Sequence, residues 1–211
     1  MMFRVIAVLL ALGLSLPATA GVAADGAAGP SRSLSQGRTL HGKFVQERRL
    51  QGFKAPLRSE GRFMLAPGRG LIWQSEKPFP VTTVITAAGL VQEVGGAETM
   101  RMPAARLPFL AKLYDMLGGA LTGDWRALER EFTVVRQGDD RAWRVELQPR
   151  TVADPAAMPI RIIRVSGGRF VDRVEIVKDG GDADALEFVE QTLSDAPPSE
   201  AEAALLASIG K

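Results

Sequence analysis

Turn signals break this chain every eight to twelve residues on both sides of one helical stretch, and that spacing limits what it can fold into. Segments so short, with apolar residues in alternation, read as β-strands. Six are expected first: Thr39 to Leu50, Leu57 to Leu65, Gly70 to Glu76, Val81 to Thr86, Leu90 to Val94 and Glu98 to Met102. Five follow the helical stretch: Glu131 to Arg136, Ala142 to Leu147, Ile160 to Val165, Phe170 to Lys178 and Ala185 to Thr192. In the first strand Leu40, Gly42, Phe44 and Gln46 share one face, with His41, Lys43, Glu47 and Arg49 on the other. About eleven strands in this arrangement favour one large antiparallel sheet, strongly curled or nearly closed, over a layered α/β fold. The expected class is mainly β.

Helical spacing is confined to two places. Leu107, Leu110, Leu113, Met116 and Leu117 recur on one side of an insert over 106–128, ended and hinged by glycines. A closing helix is expected over 198–208, with Ser199 as N-cap and Glu202 at capping-box spacing. At the N-terminus an apolar run from Val5 to Leu16 follows Arg4 and ends at Pro17, before Ala18-Thr19-Ala20 and Val22-Ala23-Ala24. This is the pattern of a cleaved export signal over 1–24, too short for a permanent span. Residues 25–38 read as a flexible Gly/Ala/Ser leader, and 39–211 as one domain. The chain is thereby expected to be exported, and in a bacterium periplasmic.

Several chemistries lack their residues. The 211-residue chain has no cysteine, which removes disulfides, thiol nucleophiles, Cys-based zinc and a lipid anchor on cysteine. A formal charge of +2 gives no footprint for nucleic acid. His41 is the one histidine and reads as a lone surface residue; no G-x-S-x-G elbow accompanies it. The acids of Asp139-Asp140 and of the run Asp179 to Asp184 read as hairpin-turn residues, because the run lacks calcium-loop spacing. No enzyme, metal or cofactor is expected. What is plentiful is large apolar surface: Phe44, Phe53, Phe63, Trp73, Phe79 and Phe109, with Met64, Met100, Met102 and Met116 beside them. Either these fill a solid β core, leaving a structural or adaptor protein, or a wide curled sheet keeps a cavity for an apolar ligand.

The ordered set Leu40-x-Gly42-x-Phe44-x-Gln46, Glu60-Gly61-x-Phe63, Trp73, Pro78-Phe79-Pro80 and Ile85-Thr86-x-x-Gly89-Leu90 resembles the outer-membrane lipoprotein carrier family, LolA. The likeness covers most of the chain after the leader. It implies an incomplete antiparallel β-barrel with a helical lid, whose cavity shelters lipoprotein acyl chains or another lipid-like cargo. It implies as partners an inner-membrane release complex and an outer-membrane receptor, and it fits a monomer. On this resemblance Phe44, Phe63, Leu65, Trp73 and Phe79 are expected in the cavity wall, with Leu107, Phe109, Leu113 and Leu117 beneath the lid. The receptor of this system is itself a lipoprotein, so the missing cysteine favours the soluble carrier. Where the family has an Arg-Pro pair whose arginine holds the lid, this chain has Ala66-Pro67-Gly68-Arg69, which leaves Arg69 as a displaced lid contact.

Overall fold

A computed structural model describes residues 37–106, 129, 132–150, 160–178 and 180–210. Eleven strands form a single antiparallel sheet. They are β1 (Thr39–Arg49), β2 (Leu57–Ala66), β3 (Gly70–Lys77), β4 (Val81–Thr86), β5 (Gly89–Val94), β6 (Ala97–Pro103), β7 (Phe132–Gly138), β8 (Trp143–Pro149), β9 (Ile160–Gly167), β10 (Val171–Lys178) and β11 (Ala183–Ser194). One α-helix is described, α1 (Glu200–Ala207), followed by a 3₁₀ turn over Ser208–Gly210. All eleven expected strands are present, each end within two residues of its expected place. The expected signal segment 1–24, all but the last two residues of the leader 25–38, and all of the insert 106–128 except Arg106 lie outside the described residues.

Strand order is β6-β5-β4-β3-β2-β1-β11-β10-β9-β8-β7. The first and last strands therefore pair at the centre, and β6 and β7 are edges that do not pair with each other. The result is an incomplete barrel.

Cross-strand register explains why the alternation in the sequence matters. Leu40 faces Leu65, Leu65 faces Leu71, Leu71 faces Ile85, Ile85 faces Leu90 and Leu90 faces Met102, an apolar row from the centre to the β6 edge. In the other direction Leu186, Val174, Val165 and Val145 form a matching row across β11 to β8. Both rows lie on the face that carries Phe44, because strand side chains alternate with period two. The opposite face is charged: Arg58 stands opposite Glu47, Arg173 opposite Glu187, and Arg164 opposite both Glu146 and Glu175. Each such exposed pair contributes little alone, but the row keeps this face in water and pins the register.

Trp73 on β3 and Phe188 on β11 are three strand steps apart, roughly 14 Å in a flat sheet, yet their ring centroids are 6.2 Å apart. Convergence of this kind belongs to a concave side. The Phe44 face is the inner face of the curl.

Part of the outer face is apolar too, and α1 covers it. Met64, Ala66, Ile72 and Val84 are buried there with Leu206, flanked by Leu205 and Ile209. Burial on both faces is why β2 ends in the unbroken run Phe63-Met64-Leu65-Ala66 instead of alternating. The helix is fastened at both ends. Ser199 and Glu202 form the expected capping box, and Arg101 Nη1 on β6 donates to the carbonyls of Ser208 and Ile209 at 3.0 and 3.2 Å. His41 corrects its sequence reading: Nε2 lies 2.8 Å from Glu202 Oε1, so this histidine ties β1 to the helix.

Burial by itself would raise the Glu202 carboxyl, but hydrogen bonds from the Ser199 hydroxyl and amide and from His41 outweigh it and hold it below its ordinary 4.5. A carboxylate depressed on folding adds stability above its unfolded value and loses it as the pH falls through the folded one. Glu202→Gln should therefore cost about 1 kcal/mol at neutral pH, with the gap from the parent closing in acid as the pH drops through and below 4.5. Urea denaturation of both proteins across that range checks this; a gap that persists unchanged in acid would show the charge is irrelevant.

Candidate functional site

The inner face has an aromatic centre. Phe44 of β1 stacks on Trp73 of β3 with centroids 3.6 Å apart and planes 24° apart. These strands are not neighbours, since β2 lies between them. The residue that faces Phe44 on β2 is Gly61, which has no side chain to separate the rings. Gly61 is also required by the backbone, because a Cβ there would sit 1.9 Å from the Gln74 carbonyl oxygen at the β2–β3 irregularity. Gly42 does a similar service one pair along, where a Cβ would press on the Phe63 ring at 2.7 Å. Phe63 packs near Trp73 at 6.3 Å, and Phe188 meets Phe63 edge-on at 5.3 Å. Offset and edge contacts of this type each add roughly 0.5–1.5 kcal/mol beyond area burial.

The cluster is graded in exposure. Phe44 is 1% exposed and Phe63 7%, whereas Trp73, Leu65, Leu71, Phe188 and Leu193 around them are only partly buried. The β7–β9 side is tighter, with Phe132, Trp143, Val145, Leu147 and Ile163 all buried. Trp143 satisfies its indole by donating from Nε1 to the Gly168 carbonyl at 2.7 Å.

The structure thus brings Phe44, Phe63, Leu65 and Trp73 together on one face. Phe79 stands in the β3–β4 connection, 71% exposed. Phe53 in the β1–β2 connection and Leu57 at the start of β2, also exposed, lie at the same end of the sheet. Arg69 is exposed in the β2–β3 turn. Leu107, Phe109, Leu113 and Leu117 lie outside the described residues. Sequence reasoning missed Phe188, whose place opposite Phe44 follows from pairing the first strand with the last, a contact no local pattern announces.

It also misplaced Asp184. That residue is not a turn acid but lies in β11, 5% exposed. Its Oδ1 accepts from Arg48 Nε and its Oδ2 pairs with Lys178 Nζ, both at 2.7 Å. Burial works to raise its carboxyl, while hydrogen bonds from Arg48 and Lys178 overcome this and hold it low. The turn reading does hold for Asp182 and Asp139: Asp182 Oδ1 accepts from the Gln51 amide at 2.7 Å, and Asp139 Oδ1 accepts from the Arg141 and Ala142 amides. On the outer face a depression of about 290 Å³ is lined by Arg144, Arg164, Ser166, Arg173 and Glu175. It is polar and laced with ion pairs, a poor host for a hydrocarbon. Among the described residues no group of His, Cys, Asp or Glu is placed to hold a metal.

A family model described as outer membrane lipoprotein carrier protein LolA-like matches residues 20–185. The chain belongs to that family. Its members are carrier and binding proteins that handle lipid or lipoprotein. No curated protein sequence matches this LolA-like chain. Among solved structures it is similar to a chain in the Pseudomonas aeruginosa MucA/MucB complex, at 14% identity and a TM-score of 0.47. That alignment covers 78% of this chain and 54% of the other, so this chain spans about half of that relative's length. A LolA superfamily protein from Nitrosomonas europaea is 10% identical, with a TM-score of 0.39 and coverage of 75% and 87%. LprF from Mycobacterium bovis is 13% identical, with a TM-score of 0.35 and the same coverage.

The graded burial separates frame from surface. Phe44→Ala should cost about 3–5 kcal/mol, as for an emptied aromatic site in a core. Trp73→Ala should cost less than half of that, because part of the indole is already exposed. Urea midpoints of the two variants decide it; equal losses would mean that Trp73 is core and not surface.

Proposed function

We propose that this LolA-like protein is a carrier that shelters one or more acyl chains of a lipoprotein, or of a lipid-like molecule, on its concave inner face. In this reading it works in the periplasm as a monomer, taking cargo from an inner-membrane release complex to an outer-membrane receptor. The observation that carries the proposal is the inner face itself. An apolar row crosses it from β6 to β8, it is concave, and Trp73 and Phe188 of its aromatic centre are only partly buried. A filled structural core would bury Trp73 and Phe188 as fully as Phe44.

Magnitudes agree with transport better than with storage. Burying a chain of about 16 carbons at roughly 0.8 kcal/mol per CH₂ gives a gross driving force near 12 kcal/mol. Immobilising the ligand and fitting it imperfectly to a curved wall subtract several kcal/mol. A cargo held by area alone, with few directional bonds, is held firmly yet released when a better apolar surface is offered.

Trp73 supplies the test. A fatty acid brominated along its chain should quench tryptophan emission saturably, and acylated lipoprotein should displace it. Trp73→Phe should remove most of the quench while leaving binding of a hydrophobic dye within about threefold. Absence of saturable quenching by any acylated ligand would defeat the proposal.

A further inference from the structure

The inner face carries a polar station near the β10–β11 turn. Arg48 faces Asp184 across β1 and β11, and Asp184 faces Ile176 across β11 and β10, so all three share the inner face with Phe44. Around the Asp184 carboxylate stand Arg48 and Lys178 at 2.7 Å, with Gln46 Nε2 at 3.4 Å. Gln46 in turn accepts from the Ser59 hydroxyl at 3.4 Å.

The charge count is uneven. One carboxylate meets two cations, so the cluster keeps a formal charge of +1. A buried carboxylate needs one good partner, and among the described residues no second acid pairs with either cation. Nor are the cations used up. Arg48 gives only Nε to Asp184, and Lys178 one of its three donors; their side chains remain 48% and 31% exposed. Among the described residues no hydrogen bond engages either Nη group of Arg48, which leaves a pair of donors of the kind that suits a carboxylate or a phosphate.

The station borders the greasy surface directly. From Asp184 the next inner-facing residues along β11 are Leu186 and Phe188, and Phe188 is in the aromatic cluster. The distance from Asp184 to Phe188 is roughly 13 Å along the strand, a span that a long acyl chain covers.

We propose that Arg48 and Lys178 receive the anionic head, a carboxylate or a phosphate, of an amphiphile whose chain runs along Leu186 to the Phe44–Trp73–Phe188 cluster. Asp184 is a positioning residue: it holds both cations at the border and leaves their outer donors turned to the ligand. The inference rests on the inner face being the acyl shelter, and it narrows the cargo from any acyl chain to chains with a negatively charged head.

The test compares matched ligands at slightly alkaline pH on the folded, full-length protein. Palmitate is set against methyl palmitate, and a monoacylglycerol phosphate against the monoacylglycerol, by displacement of a hydrophobic dye. The charged member of at least one pair should bind tenfold tighter or more. Arg48→Gln and Lys178→Gln, made singly so that Asp184 always keeps a cation, should each cut that preference severalfold and leave the neutral ligands unchanged. Acetate and inorganic phosphate at the same concentration should not displace the dye. Equal binding within both pairs overturns this inference but leaves the acyl shelter standing. Failure of all four ligands sinks both. Displacement by free acetate or phosphate also overturns it, since the head alone would then be the ligand. A loss of neutral and charged ligands alike in both variants assigns the two cations a structural role only.

Discussion

Phe44 lying flat on Trp73 across an intervening strand is the contact on which the rest of this architecture depends. Two side chains can meet over a third strand only if that strand offers no obstruction and the sheet bends toward them. Gly61 provides the gap, and Phe63 and Phe188 close in from either side. The bend so stabilised turns a broad sheet into a trough. A flat sheet of eleven strands with one apolar face would have to find a second layer along its whole length. A curled one buries much of that face against itself and leaves the remainder as a sheltered surface.

The outer face meets the complementary requirement. Its cross-strand ion pairs, such as Arg164 with Glu146 and Arg173 with Glu187, add little stability individually but make an inside-out register costly. At β2–β4 the outer face is greasy, and α1 is clamped over it by His41, the capping box and Arg101. The helix leaves the trough free, because its apolar residues are committed to the opposite side of the sheet. The two edges stay apart, and β6 carries Glu98, paired with Arg101, along its exposed border. Charge on an edge strand discourages pairing with other chains.

A trough whose centre is apolar cannot choose among greasy ligands by shape alone, since methylene groups are alike. The polar station at Asp184 is where discrimination is physically available. It lies beside the end of the hydrocarbon surface, where a chain's polar head would emerge. The outer-face depression near Arg173 is lined by charged and polar side chains alone, and so lacks the second half of what an amphiphile needs.

Strand number, strand ends and the capping box of α1 were legible in the sequence, because period-two alternation, Gly-rich turns and Ser199-x-x-Glu202 are local signals. So was the inner face of β1, from the alternation of Leu40, Gly42, Phe44 and Gln46. Three features were not legible, and for one reason. Phe188 opposite Phe44, Asp184 against Arg48, and His41 against Glu202 each join residues more than 130 positions apart, by the pairing of the first strand with the last or the folding of α1 onto β1. Local pattern assigns a residue to a face of its own strand; it carries no information about which strand lies next to it. The amino-acid order thus determined an apolar face and a charged face, strand by strand. Only the pairing of the first strand with the last at the centre of the sheet decided that the aromatic rings would share one hollow and that the buried Asp184, already beside Lys178, would also meet Arg48.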